Sequence, residues 1–320
     1  MADTNRQPYR RHPVRRMQQK RTIRLRIPQM AAMLAVVFAL GMGAYPYLKL
    51  GKEPATAWYE TVAPLGAKSQ VTLIDGTKVW LNAGSKLLYS TQFGQYNRHV
   101  QLEGEAYFEV AKNKSLPFEV KTPKICIKAL GTSFNIKAYP NEETVETILV
   151  EGEVEVSRTD GAGLDVNDLI LQPRQRLTFV KKTNELLVET KPQEISREKT
   201  ADTEPVAPEN VIASKIKKIE ATTDYMIHTS WKDNRWRIES EELGKFATKL
   251  ERRYNVKIWF ADKDLPKYKF NGAFADEPIE EVLRALALAA PVNFLLRGNE
   301  VTLSRNDQFE KRHKSLYEVK

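Results

Sequence analysis

The stretch 100–110, VQLEGEAYFEV, decides the fold. Val100, Leu102, Gly104, Ala106, Phe108 and Val110 fall on one side, and Gln101, Glu103, Glu105, Tyr107 and Glu109 on the other. Alternation with period two over eleven residues is the pattern of a β-strand with one buried face and one wet face. The glycine in its middle marks a bend or a close backbone approach. A second stretch, 150–156, VEGEVEV, repeats the form apolar-Glu-Gly-Glu-small 48 residues later, with Val150, Val154 and Val156 opposed by Glu151, Glu153 and Glu155.

Working outward, the same period continues. Val71 and Leu73 lead into Asp75-Gly76, a tight hairpin turn, and Val79 and Leu81 return. Phe118 and Val120, Ile125 and Ile127, Phe134 with Ile136 and Ala138, and Leu169, Leu171, Leu177 and Phe179 complete the series. Residues 65–190 show no helical periodicity and read as an all-β domain of folded-over or solenoid-like sheets. Residues 49–64, with Pro54 and Pro64, read as a tether. Residues 191–230 carry many Lys, Glu, Thr and Pro and read as a linker with a short helical piece at 212–220.

The period changes again near Trp231. Trp236 to Ile238 is a short strand, and Ser240 is placed to cap a helix over 241–254 that buries Leu243, Phe246, Ala247 and Leu250. Asn255 ends it. Val256, Ile258 and Phe260, then Tyr268, Phe270 and Phe274, alternate as strands. Pro278 opens a second helix with Ile279, Val282, Leu283 and Leu286 on its buried stripe. Val292, Phe294 and Leu296 pair across Gly298-Asn299 with Val301 and Leu303. The order β-α-β-β-α-β-β over 231–305 predicts a small α+β domain, followed by a charged tail, 306–320.

Ahead of both domains lies 30–48, MAAMLAVVFALGMGAYPYL, which has no charged residue and as a helix covers roughly 28 Å, about one bilayer core. It lacks the polar face of a helix packed on a soluble core. A cleaved signal peptide competes with an anchor, but the basic lead is long and Tyr45-Pro46-Tyr47-Leu48 offers no small-x-small cleavage site. Nine basic residues against Asp3 in 1–29 carry eight of the chain's nine net positive charges, so the remainder is nearly neutral. That placement puts 1–29 in the cytoplasm and 49–320 across the membrane, and argues against a nucleic-acid partner. Gly41, Gly43 and Pro46 weaken the helix near its outer end.

The chemistry-bearing residues are few. The single cysteine, Cys126, sits in a strand pattern and reads as a small buried hydrophobe, which excludes an intramolecular disulfide. His12, His99, His228 and His313 have no pair at ligand spacing. The carboxylates Glu103, Glu105 and Glu109, and Glu151, Glu153 and Glu155, raise the possibility of glycan cleavage, with Trp80 and Tyr107 as sugar platforms. A solvated strand face explains the acids as well, and packing between sheets explains the rings. No catalytic, cofactor-binding or metal-ligating residue is assigned, and no cofactor.

With these segments placed, LIDGTKVWLNAGSKLLYS (73–90), RHVQLEGEAYFEV (98–110), PFEVKT (117–122), LGTSFNIKAY (130–139) and VEGEVEV (150–156) resemble, in order and spacing, the FecR family of sigma-factor regulators. LGKFATKLERRYNVKI (243–258), FNGAFADEPIEEVLRAL (270–286) and NEVTLS (299–304) are similar to the C-terminal module common in Bacteroidota members. The resemblance implies a single-pass inner-membrane protein with a periplasmic body. It implies that the body senses the signalling domain of an outer-membrane TonB-dependent transporter and controls an extracytoplasmic-function sigma factor, with site proteases as further partners. It also implies a helical anti-sigma domain before the anchor, whereas a stretch of 29 residues, nine of them basic, stands there. A minimal contact, a separate protein supplying the domain, and a truncated start all stay open. An anchored glycan-binding or glycan-cleaving β protein is the alternative, and an envelope scaffold a third.

Overall fold

The computed structural model describes residues 27–49, 57–159, 169–190, 216–220 and 225–309. The expected basic tail, much of the linker and the charged C-terminal end, with His12 and His313, lie outside them. The chain divides into two units, one ending at Ala55 and the other beginning at Thr56.

In the first unit, α1 spans Ile27–Lys49. Its described side chains, at 31–40, 42 and 43, are all exposed. Among the described residues no helix is long and apolar enough to cross a membrane.

The second unit opens with fourteen strands. They are β1 (Trp58–Ala63), β2 (Ser69–Thr72), β3 (Lys78–Leu81), β4 (Ser85–Ser90), β5 (Arg98–Glu109), β6 (Phe118–Lys121) and β7 (Ile125–Ala129). They continue as β8 (Ser133–Ala138), β9 (Thr144–Glu151), β10 (Val154–Arg158), β11 (Leu169–Leu171), β12 (Gln175–Val180), β13 (Glu185–Thr190) and β14 (Ile216–Glu220). The organiser is β5, the stretch that the alternation singles out. Its first half pairs with β4 and β6, and its second half with β3 and β8. The chain therefore makes two sheets that share one bent strand and curl over a common core. One runs β11-β10-β7-β6-β5-β4-β1 and the other β14-β13-β12-β9-β8-β5-β3-β2.

The two echoed glycines mark two of the places where the chain passes between sheets. Gly104 lies at the bend of β5 with φ +100°, and a Cβ there would sit 2.7 Å from Ser85 Cα. Gly152 joins β9 to β10 with φ +88°, and its Cβ would lie 2.6 Å from Thr132 Cγ2. Both positions need a backbone that side-chain-bearing residues adopt at a cost, and both lack the room. Between the sheets, Phe108 of β5 stacks on Phe134 of β8 at 5.2 Å and meets Phe118 of β6 at 5.8 Å. At the open end, the fully buried Arg98 guanidinium donates to the carbonyls of Leu116 (2.7 Å), Ala111 (2.8 Å) and Asn113 (3.2 Å) and pairs with Asp75 (3.1 Å). A buried charge is tolerable when its donors are satisfied in this way.

The second module holds β15 (Trp236–Glu242), α2 (Leu243–Tyr254), β16 (Lys257–Phe260), β17 (Lys269–Phe274), α3 (Ile279–Ala289), β18 (Val292–Arg297) and β19 (Glu300–Arg305). This is the element order that the periodicity predicts. The strands form two small sheets, β15-β17 and β16-β19-β18. Leu243, Phe246, Ala247 and Leu250 of α2 and Val282, Leu283 and Leu286 of α3 are buried in its own core. Phe246 is its centre, 5.0 Å from Phe270 and 5.7 Å from Phe274.

Four expectations are corrected. The tether expected over 49–64 instead contributes β1 from Trp58, because Trp58–Ala63 finds a full antiparallel partner in β4. The helix expected over 212–220 is the strand β14, parallel to β13. Ser240 does not cap α2: it sits at a β-bulge with φ 49°, its N–H donates to Asn271 Oδ1 at 2.7 Å, and Glu242 occupies the cap position. Cys126 is half-buried rather than buried, since it lies on the outer side of β7 between the inward Ile125 and Ile127.

Candidate functional site at the junction of the two modules

Glu105 faces outward from the second sheet, where the alternation predicts solvent, yet it is only 7% exposed. Two short 3-10 turns, Tyr225–His228 and Ser230–Asp233, lie over that face and fill it from the end of the expected linker. Asn82 and Asn135 donate to the two carboxylate oxygens of Glu105 at 2.8 and 3.0 Å. The buried Trp231 indole N–H donates to Asn135 Oδ1 at 3.2 Å. Asn135 thus relays between a buried acid and an aromatic plug. Burial pushes the Glu105 carboxyl above its ordinary value, with Lys137 and the two amides opposing the rise.

Around this centre the contacts alternate in sign. Lys232 places its ammonium 4.9 Å from the Trp80 ring and 5.0 Å from Tyr107. Lys68 donates to the Trp231 carbonyl and, at 2.6 Å, to Asn234 Oδ1. Burial, aided by Arg253, lowers the Lys68 pKa to about 8. Lys137 pairs with Glu142 at 2.6 Å, and Glu142 also binds Arg252 of α2 at 2.5 Å. The Arg252 guanidinium lies 3.5 Å from the Tyr139 ring centre, and its backbone carbonyl accepts the Gly66 N–H at 2.7 Å.

On the far side Arg176 pairs with Glu189 at 2.6 Å and donates to His228 Nε2 at 2.9 Å. An imidazole that accepts from a guanidinium is neutral, with its proton on Nδ1. Burial first, and Arg176 second, pull the His228 pKa down to about 4. Burial opposes ionisation of Glu146, but the Lys137 ammonium first and the Arg176 guanidinium with it outweigh burial and hold the carboxyl below the usual range. Lys137 is desolvated too, yet Glu146, Glu142 and Glu105 keep its pKa raised.

The carboxylates flagged by sequence disperse. Glu103 is exposed. Glu153 accepts from Gln172 at 3.2 Å, and Glu155 pairs with Lys128 at 3.4 Å. Glu109 and Glu151 do share an open groove of about 510 Å³ at the rim of the second sheet, but with Lys78 and Lys112 beside them, so its charges balance. Trp80 and Tyr107 meet edge to face at 5.8 Å, and Lys232 covers both rings. Packing does occupy these rings, though against the linker's end rather than between sheets. His99 pairs with Glu119 at 3.1 Å on the outer side of the first sheet. Among the described residues no cluster of His, Cys, Asp and Glu is able to hold a metal ion. What the junction offers is a charge-balanced clamp that joins two modules.

Residues 60–155 match the family described as FecR protein, and residues 235–303 match FecR, C-terminal. No individually curated protein matches the chain. Two crystal structures, at 1.65 and 2.50 Å, of a candidate anti-sigma factor from Parabacteroides distasonis are similar to it. Each is 25% identical, with TM-scores of 0.60 and 0.61, and the matches cover 77% and 78% of this chain and 99% of those chains. The family is one of regulators without catalytic activity. The chain belongs to the FecR family and carries that family's C-terminal domain as its second module.

Proposed function

We propose that this chain is a single-pass inner-membrane regulator that binds a partner in the periplasm and controls an extracytoplasmic-function sigma factor. The observation that carries the proposal is the likeness of both modules together to the candidate anti-sigma factor, over nearly all of that chain. In this reading Met30–Leu48 is the anchor, residues 1–29 face the cytoplasm and contact the sigma factor, and the body is periplasmic. The continuous helix Ile27–Lys49 and the concentration of basic residues before it support the topology. Gly41, Gly43 and Pro46 make its outer end a suitable substrate for site proteases.

The outer partner is the signalling domain of a TonB-dependent transporter. Edge strand β18, with Leu295 half-exposed, offers a row of backbone groups for strand addition. Deletion of the gene should change transcription from the sigma factor's promoters, and a phosphatase fused after residue 320 should be active. An unchanged transcript profile would remove the sigma-regulator reading. An inactive C-terminal fusion would remove the topology.

A further inference from the structure

Four of the most exposed apolar side chains of the β-sandwich gather at one end, although they are far apart in sequence. Trp58 and Tyr59, 51% and 55% exposed, begin β1, opposite Ser90 and Tyr89 at the end of β4. The chain then turns through 91–97, where Tyr96 is 72% exposed. Ile74, 81% exposed, lies against that turn: a Cβ on Gly94 would come within 2.8 Å of its Cγ2. Arg98 closes the same end, holding Asp75 on one side and the carbonyls of the 111–116 loop on the other. That loop presents Lys112 and Lys114, both exposed. Of the acids nearby, Asp75 is engaged by Arg98 and Glu119 by His99, while Glu109 and Glu151 share their groove with both Lys78 and Lys112. The result is an aromatic and aliphatic cluster beside exposed lysines.

Aromatic rings with lysines are the composition that settles at the headgroup level of a bilayer, the rings at the apolar boundary and the ammonium groups on anionic phosphates. The other end of the sandwich, where Gly66 meets Arg252, is taken by the second module. Chain length favours the same surface. Only eight residues, 50–57, separate α1 from β1, and fully extended they reach about 28 Å.

We infer that the end of the sandwich bearing Trp58, Tyr59, Ile74, Tyr96, Lys112 and Lys114 docks on the anionic lipid surface of the membrane. The inference rests on Met30–Leu48 being an anchor. A docked sandwich has its orientation fixed by the bilayer, so the second module is held at the far end, away from the lipid.

The test uses the full chain in vesicles of phosphatidylglycerol and phosphatidylethanolamine, with lipids brominated near the headgroup. Bromolipid should quench tryptophan emission, and Trp58→Phe should abolish most of that quenching. Introducing Tyr96→Trp into the Trp58→Phe protein should restore it, which keeps the test independent of one substitution. Lys112→Glu with Lys114→Glu should reduce the quenching. If the protein floats with the vesicles but Trp58→Phe is quenched as the parent is, the docking is refuted and the anchor stands. The docking is refuted equally if Trp58 is shielded from acrylamide without responding to bromolipid, since a protein surface then covers it. If the protein does not float, the anchor reading fails and this inference falls with it.

Discussion

Replacing Trp231 by alanine tests whether the plug joins the modules. The side chain is buried, its N–H is bonded to Asn135, and Lys68 sits 5.9 Å from its ring while binding its carbonyl. Removing a buried tryptophan costs about 3–5 kcal/mol. The hydrogen bond and the orphaned Asn135 oxygen account for about 1–2 kcal/mol of this, and the cation–π contact for about 0.5–1 kcal/mol. Trp231→Phe should therefore lose about 1–2 kcal/mol, the polar part alone. The assay is urea denaturation of a fragment beginning at residue 57, with hydrogen exchange followed in residues 225–260. Trp231→Ala should lower the midpoint and raise exchange through the 225–234 segment before either module's own core opens. If its stability stays within about 0.5 kcal/mol of the parent's, the scale of an ordinary surface change, the plug does not join the modules.

Other substitutions probe the remaining parts. Gly104→Ala must accept φ +100° and a contact with Ser85 backbone at 2.7 Å; strain and overpacking together should cost about 2–5 kcal/mol by denaturation. Arg252→Ala leaves Glu142 with Lys137 alone and strips the cation from Tyr139. It should destabilise by up to about 3–5 kcal/mol and be rescued in part by Glu142→Gln, as a double-mutant cycle would show. For pH dependence, His228 has a folded pKa of about 4 against an ordinary 6.5. The unfolded chain thus takes the proton first, so this contribution is complete above about pH 6.5 and is lost as pH falls toward 4. Glu146, also depressed, acts in the same direction at lower pH, whereas Glu105, raised, opposes it. His228→Gln should flatten the melting temperature between pH 6.5 and 4; an unchanged slope would show that the imidazole is not held neutral there.

Local pattern carried most of the architecture. The strands around Val100–Val110 and the two helices of the second module are readable because alternation and helical periodicity report a buried face directly. The corrections share a different cause. Ile216 and Ile219 are spaced as on a helix, but pairing with β13, distant in sequence, makes that segment a strand. Ser240 has a capping residue's chemistry, and a bulge opposite β17 takes it out of position. Glu105 is the sharpest case. Period two says that it faces away from the core, which is correct, but not that Trp231 covers it from 126 positions further along the chain. The clamp residues were hidden for the same reason: Arg252 and Glu142 meet across 110 residues, and neither carries a local signature of its partner. One signal was present in the sequence, the sudden tryptophan at the end of a polar linker.

The double membership of β5 also dictates an order of folding. A chain made from its N-terminus has β1 to β4 in hand when β5 appears, so the β1-β4-β5 and β2-β3-β5 pairings can form early. The other half of each sheet depends on β6 to β13, and β14 closes beside β13 later still. Until then the edges of β5 and its partly built core stand open. Pairings this distant in sequence fold slowly, on the order of milliseconds to seconds. The junction cannot assemble before residues 225–252 have been made, so the second module acts as the final check on a correctly closed first one.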